Sequence, residues 1–164
     1  RSLHIDATKR DTHSVSPLIA SPGDWRTRLD NLLNYPGDRT VHNFMRETVL
    51  PGLREFAGEL RDHDIEARVF NDIGSRGALR LEVYHGDETD FVYEVRCRAH
   101  PRPTEAIAGK ALAALDAADK FYRAEVHLAE GGQDYCVMGW TRTQITHDVL
   151  GQYEKHLQFL HSLR

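Results

Sequence analysis

The first apolar pattern of the chain follows a polar N-terminal stretch. Residues 1–23 mix charges with Ser, Thr and Pro and show no periodicity, which is typical of a linker or arm. In the next segment, WRTRLDNLLNY, one helical face collects Trp25, Leu29, Leu32 and Leu33. With Asp24 as N-cap and Pro36 behind it, this spacing predicts a short helix whose apolar face needs something to pack on.

A second helical pattern begins at Asp38 or Thr40 and runs to about His63. Its apolar stripe consists of Val41, Phe44, Met45, Val49, Leu53, Phe56 and Leu60. Pro51 falls in the middle of this pattern, where it removes one backbone donor and clashes with the preceding turn. We therefore expect a long helix with a kink or break near Leu50.

Beyond residue 65 the hydrophobic period changes to two, which indicates β-strands. The predicted strands are Glu66 to Asp72, Ala78 to His85, Thr89 to Ala99, Phe121 to Ala129 and Asp134 to Met138. Short turns at 74–77, 85–88 and 131–132 favour antiparallel hairpins. An Ala-rich stretch at 104–119 has helical composition, and a final helix runs from a cap at Thr141 or Thr143 to about Leu163.

These elements predict an α+β fold. We expect an antiparallel sheet of about five strands, with two long helices packed on one face and a shorter N-terminal helix. At 164 residues the chain is long enough for one domain, which we place at residues 24–164 behind the arm at 1–23.

Composition narrows the class of protein. Apolar residues make up 40% of the chain and charged residues 28%, as in an ordinary soluble domain. The net charge of −4 argues against a nucleic-acid partner. The polar start lacks a signal-peptide core and an initiator Met, so we expect a piece of a longer protein. Cys97 and Cys136 are expected to be reduced and half-buried, with a disulfide between them as the alternative.

The final helix carries one polar residue in an unusual place. At about 100° per residue, His156 falls inside the apolar face formed by Ile145, Val149, Tyr153, Leu160 and Leu163. One hypothesis is a pH-sensitive switch. The alternative, which we favour, is a core or interface histidine whose nitrogens are satisfied by backbone or water.

Arginines dominate one side of the predicted sheet. The strand alternation turns outward Arg68, Arg80, Arg96, Arg98 and Arg123, together with Glu82, Glu94, Glu125 and His127. Cross-strand charge pairs on a solvated face explain them sufficiently. A docking face for anionic lipid headgroups or an acidic protein segment is the functional alternative. We call these five arginines the candidate docking face.

The sequence offers no catalytic constellation. No metalloprotease, nucleophile-elbow or phosphate-loop motif occurs, and His147, Glu154 and His161 recur at sevens, too far apart for one metal ion. We expect neither a catalytic nor a cofactor or metal site, and hold a free-standing enzyme to be the weakest hypothesis. No aromatic residues interleave with the arginines, so a nucleic-acid reader is not indicated.

Residues 121–164 resemble the C-terminal cytoplasmic domain of choline transporters in the betaine/choline/carnitine transporter family. The matching features are Tyr122, Arg123, Glu130 to Gln133, Tyr135, Val137 to Gly139, Gln152 to Glu154, His156 and Phe159 to His161. The stretches DWRTRL, VLPGLREFAGEL and FVYEVRCR extend a looser resemblance back to residue 24. Two features depart from the family pattern. Cys136 stands where the family has an acid, and the Ala-rich stretch is longer than in the family.

The resemblance implies a non-catalytic regulatory domain at the cytoplasmic face of a bacterial inner membrane. Its partners would be the membrane domain of its own transporter and, secondarily, anionic lipid, with any homo-oligomer arising through the parent transporter. It would adjust uptake of an osmoprotectant precursor to osmotic or ionic state. The alternative is a ligand-sensing domain that binds choline, betaine or a nucleotide between helix and sheet. Its aromatic cage would come from Trp25, Tyr122, Tyr135 and Trp140.

Overall fold

The computed structural model describes residues 25–102 and 120–162, apart from the side chains of residues 31 and 32. The helices are α1 Trp25–Leu33, α2 Asp38–Phe44, α3 Leu50–Asp62, the short α4 Ile73–Arg76 and α5 Arg142–Ser162. The strands are β1 Ala67–Asp72, β2 Ala78–His85, β3 Glu88–Pro101, β4 Lys120–Leu128 and β5 Tyr135–Cys136. The predictions for the arm, for the cap at Asp24, for the Ala-rich stretch and for Leu163 lie outside the described residues.

The strands form one antiparallel sheet in the order β1-β2-β3-β4-β5. Each strand pairs with the next one along the chain, as the short predicted turns required. The segment 74–77 contains the helical turn α4, and Gly77 closes it with a φ of 63°. This left-handed conformation costs a glycine nothing, which explains why the turn ends there.

Pro51 interrupts the long helix in a specific way. A π-helical turn, Met45–Val49, separates α2 from α3, and the Leu50 amide donates to the Met45 carbonyl five residues back. The helix then continues to Asp62. The predicted irregularity near Leu50 is therefore confirmed, and it takes the form of a widened turn.

The hydrophobic core lies between one face of the sheet and the helices α2, α3 and α5. Fully buried side chains from both layers meet there, among them Val41, Met45, Leu53, Leu81, Tyr93, Val95, Val126 and Ile145. Gly52 lets α3 approach α5 closely, because a Cβ at this position would lie 3.3 Å from Cγ2 of Ile145. The predicted α+β fold, with helices on one face of a five-stranded antiparallel sheet, is confirmed.

The N-terminal helix α1 behaves differently from the others. Within the described part of the chain its apolar face stays largely exposed: Trp25 is 61% and Leu33 is 59% exposed. The chain after α1 is anchored to the sheet, since the Tyr122 amide of β4 donates to the Pro36 carbonyl at 2.9 Å.

The final helix begins with a capping box. The Thr141 hydroxyl accepts the Gln144 amide at 3.1 Å, and the Gln144 side chain accepts the Thr141 amide at 2.8 Å. Of the two caps that the sequence allowed, Thr141 is the one used. Ile145, Val149, Tyr153 and His156 are buried along its inner face, as predicted, whereas Leu160 is 36% exposed.

Candidate functional site

The outward face of the sheet carries ion pairs along its length. Four arginines of the candidate docking face lie near carboxylates: Arg68 near Glu66 at 2.7 Å, Arg80 near Glu82 and Asp72, Arg96 near Glu94 at 2.9 Å, and Arg98 near Asp134 at 3.6 Å and Glu125 at 4.0 Å. The structure therefore brings these arginines together with their own counter-charges. Near β4 the helix α1 approaches this face, since its Arg28 lines a cavity together with Arg123.

Glu125 corrects the expectation that the outward acids are solvated. Only 8% of the residue is exposed, because the side chains around it cover it. One carboxylate oxygen lies 2.7 Å from Nε2 of His100, and the other lies 4.0 Å from Nε of Arg98. The residue is thus a buried acid held by two basic neighbours, which the strand alternation alone could not indicate.

Arg123 differs from the other four arginines. It pairs with no carboxylate of the described residues, and its Nε is buried without a hydrogen-bond partner. In the register of β3 and β4 it lies directly opposite Arg98, so two like charges face each other. Its guanidinium lies over the Phe121 ring, 5.0 Å from the centroid.

His156 sits between two acids. Its Nδ1 lies 2.8 Å from Glu130 and its Nε2 lies 3.0 Å from Asp90, while only 5% of the residue is exposed. A carboxylate can only accept, so both contacts are hydrogen bonds at once only when the ring carries two protons and a positive charge. The expectation that backbone or water would satisfy the His156 nitrogens is wrong, because the partners are two carboxylates. The hypothesis of a pH-sensitive switch stays a prediction.

A cavity of about 240 Å³ opens beside His156. Two phenylalanines, Phe91 and Phe159, line it together with Glu130, Gln152 and Lys155. The Phe91 ring also packs on the imidazole of His156, with centroids 5.5 Å apart. The aromatic rings and the Glu130 carboxylate are groups that attract an organic cation, whereas the positive charge of Lys155 would repel it.

A polar network that the sequence did not indicate lies under β3 and β5. The hydroxyls of Tyr93 and Tyr135 both donate to Oδ2 of Asp148, at 2.6 and 2.5 Å, and the Gln152 amide donates to the Tyr135 hydroxyl at 3.2 Å. Burial raises the pKa of Asp148, and the two tyrosine hydrogen bonds partly offset this effect. Nothing in the hydrophobic pattern pairs Tyr93 with a residue 55 positions away.

The four aromatics of the predicted ligand cage are dispersed. Tyr135 and Trp140 pack together with centroids 6.5 Å apart, but the Tyr135 hydroxyl is already used by Asp148. Tyr122 lines a second cavity near Arg123. Trp25 lies on α1 with Arg26 stacked over its ring. No single cage results from these four positions.

Both cysteines are free, so the disulfide alternative is wrong. Burial is the main cause that raises the pKa of the Cys97 thiol to about 11, with the Asp38 charge as a second cause. Among residues 25–102 and 120–162, no cluster of three His, Cys, Asp or Glu side chains has the arrangement of a metal site. In the same ranges no helix combines the length and apolarity needed to cross a bilayer.

Comparison with known proteins places the chain among transporters. It is 30% identical to a glycine betaine transporter of Acinetobacter baylyi, over the whole of this chain and 25% of that protein. It is 33% identical to the high-affinity choline transport protein of Escherichia coli K12, over 95% of this chain and 23% of that protein. An osmo-dependent choline transporter of Acinetobacter baylyi is 25% identical over 98% of this chain and 24% of its own length.

No family model matches the chain. It spans about a quarter of the length of the curated relatives that it matches. Those relatives are transporters of choline or glycine betaine, and the match to them covers this chain almost completely. Over almost its whole length the chain is therefore similar to one segment of transporters of the betaine/choline/carnitine transporter family.

Proposed function

We propose that the chain is the C-terminal cytoplasmic regulatory domain of a bacterial choline or betaine transporter. It is non-catalytic and adjusts uptake of the osmoprotectant precursor to osmotic or ionic state. One relative is an osmo-dependent choline transporter, which agrees with this role. The observation that carries the proposal is the outward sheet face, on which exposed arginines and carboxylates pair.

Such a face responds to salt. Exposed charges interact over a Debye length of about 10 Å at 0.1 M salt and about 3 Å at 1 M. Each exposed pair contributes only about 0.2–1 kcal/mol, whereas shifting a two-state equilibrium strongly takes a few kcal/mol. Several ion pairs must therefore weaken together to supply a few kcal/mol, and the outward sheet face carries several such pairs.

The partner of this face is the membrane part of the same transporter. Six carboxylates share the face with the five arginines: Glu66, Asp72, Glu82, Glu94, Glu125 and Asp134. An anionic lipid surface would meet these acids as well as the arginines. Protein loops can instead present both signs of charge in matching positions.

Uptake of choline against external osmolality tests the role. The transporter that carries this chain is compared in whole cells with one lacking residues 24–164, at equal membrane levels. A regulatory domain predicts that the truncated transporter still takes up choline but no longer changes its rate with osmolality. Equal responses of the two proteins would place the regulation elsewhere.

Charge reversal then locates the docking surface. Arg68→Glu combined with Arg96→Glu, at side chains 61% and 37% exposed, should move the osmotic midpoint to lower osmolality because docking is weakened. Arg46→Glu combined with Arg54→Glu makes the same charge change at two exposed sites on the helical side of the sheet, and should behave like wild type. Equal shifts in both variants would contradict a specific face. Loss of binding to vesicles of anionic lipid in the variant of Arg68 and Arg96 alone would identify lipid as the partner.

A second function, sensing of a small cation, is favoured by the cavity beside His156. Its two phenylalanine rings and the Glu130 carboxylate fit a quaternary ammonium such as choline. Calorimetric titration of the chain with choline should then give saturable heat that Glu130→Gln weakens about tenfold, as for loss of one desolvated charge contact. Glu154→Gln, at an exposed acid on α5, is the matched control. No heat with wild type would exclude this function.

A further inference from the structure

A second cavity, also of about 240 Å³, opens between α1 and the first residues of β4. Its lining combines the guanidinium groups of Arg28 and Arg123 with the aromatic and apolar side chains of Phe121, Tyr122 and Met138. The thiol of Cys136 also faces it. Among the described residues no aspartate or glutamate belongs to this lining, in contrast to the paired arginines on the rest of the sheet face.

The two arginines of this cavity lack a counter-charge. Neither Arg28 nor Arg123 forms an ion pair with any of the described residues. The Nε of Arg123 is moreover buried and donates to nothing. A buried donor without an acceptor costs about 1–3 kcal/mol, and more when it is charged. The arrangement therefore favours an acceptor from outside the described part of the chain.

Two further arginines strengthen the positive field at this end of the sheet. Arg98 lies directly across from Arg123 in the strand pairing. Arg102 stacks over Tyr35, 5.4 Å from the ring centroid, and its Nε is also buried without a partner. Like charges placed opposite each other destabilise a sheet. A bound anion would remove this repulsion.

The Cys136 thiol cannot serve as that anion. Burial raises its pKa, although the charges of Arg123 and Arg28 act in the opposite direction. The thiol is therefore protonated at neutral pH and leaves the arginines unneutralised. It contributes a small, weakly polar surface to the cavity wall.

We propose that this cavity binds the oxyanion group of a small molecule, a carboxylate or a phosphate. The two guanidinium groups would donate to its oxygens, as arginine does in charge-assisted and bidentate contacts. The aromatic wall of Phe121 and Tyr122 would pack against a compact carbon skeleton. The volume is below the roughly 300–1,000 Å³ of pockets for drug-sized ligands, so the ligand is a small metabolite.

Side-chain NMR of the ¹⁵N-labelled chain tests the site directly. The Nε–Hε signals of Arg123 and Arg28 are followed while inorganic phosphate or propionate is added, with choline chloride at equal ionic strength as the salt control. The proposal predicts a saturable shift with at least one of the two anions and none with choline chloride. Phosphate alone would indicate a phosphorylated ligand, and propionate alone a carboxylate.

Variants separate a built site from general attraction. Arg28→Gln and Arg123→Gln should each weaken binding of the effective anion about tenfold or more, the loss of one charge-assisted contact. Arg68→Gln, at the opposite edge of the sheet, should change binding less than about twofold. Arg28 is exposed on α1, so its variant keeps the test valid even if Arg123→Gln does not fold.

Two results would overturn the proposal. One is the lack of a saturable shift with both anions, and the other is an equal loss of affinity in Arg68→Gln and Arg28→Gln. Both are measured on the chain in solution without any transport. The lack of anion binding would therefore contradict the anion site without contradicting the regulatory role. The lack of an osmotic response in the uptake assay would contradict the regulatory role without contradicting the anion site.

Discussion

Asp148 is held by two tyrosines through a single carboxylate oxygen. Burial raises its pKa, and the hydrogen bonds from Tyr135 and Tyr93 oppose this increase without cancelling it. Burial and the nearby acid also raise the pKa of both tyrosines, so they remain protonated donors at neutral pH. In the folded protein, burial therefore disfavours the charged form of Asp148, whereas both tyrosines stay neutral.

This environment makes stability depend on pH. Because the folded-state pKa of Asp148 lies above its ordinary value of 3.8, the folded state binds the proton more tightly than the unfolded state. The corresponding stability is present at low pH and is lost as the pH rises through the folded-state pKa. Urea unfolding of wild type and Asp148→Asn at a series of pH values above 3.8 should show the difference moving in favour of the variant as pH rises.

Tyr135→Phe supplies the matching control for this prediction. It removes a hydrogen bond that lowers the pKa of Asp148, so the same loss of stability should occur at higher pH than in wild type. A pH-independent difference between wild type and Asp148→Asn would show that the acid does not titrate in this way.

His156 illustrates how one residue can join distant parts of the chain. It connects α5 to Asp90 at the start of β3 and to Glu130 after β4. Removing one partner of a buried charged contact costs more than the contact itself contributes, because the other charges stay behind. Asp90 and Glu130 keep side-chain exposures of 24% and 54%, which limits that cost.

At the scale of elements, the contact between α3 and α5 depends on one missing side chain. Gly52→Val adds a branched side chain where even a Cβ would lie 3.3 Å from Ile145 and 3.4 Å from the Arg142 carbonyl. Such overpacking should lower the free energy of unfolding by about 1–3 kcal/mol. Chemical denaturation measures the change.

Gly58→Val is the matched control, because it makes the same substitution in the same helix. The nearest atom to a Cβ there is the end of the Arg61 side chain at 4.0 Å. Valine has a higher helix propensity than glycine, so this variant should be as stable as wild type or slightly more stable. Equal destabilisation at both positions would show that the helix–helix contact at Gly52 does not determine the change in the free energy of unfolding.

At the scale of the whole molecule, local periodicity predicted the elements and their order. The alternation of apolar and polar residues placed the five arginines on the outward face, and the Pro51 position marked the irregular turn. These features depend on neighbours within a few residues, so sequence reasoning could reach them.

The partners of the site residues depend on register between distant segments. The pairing of Arg98 with Arg123 joins β3 to β4 across the Ala-rich stretch, and His156 meets Asp90 across 66 positions. A one-residue shift of a strand would exchange every such partner. The contacts of Arg98 with Asp134 and Glu125 and the tyrosine network therefore required the structure, whereas three other charge pairs join residues only two positions apart in the chain.

The hydrogen bond from Tyr122 to the Pro36 carbonyl has a consequence for self-association. Strand β5 pairs with β4 only at Glu125 and Val126. The backbone groups in the first half of β4 would therefore be free to pair with a strand of another chain, a template for edge-to-edge association. The segment around Pro36 occupies that template, and a proline accepts from β4 without offering an amide to a further strand. The connection after α1 thus protects this edge from edge-to-edge aggregation, and loosening it would expose the first half of β4 to pairing with another chain.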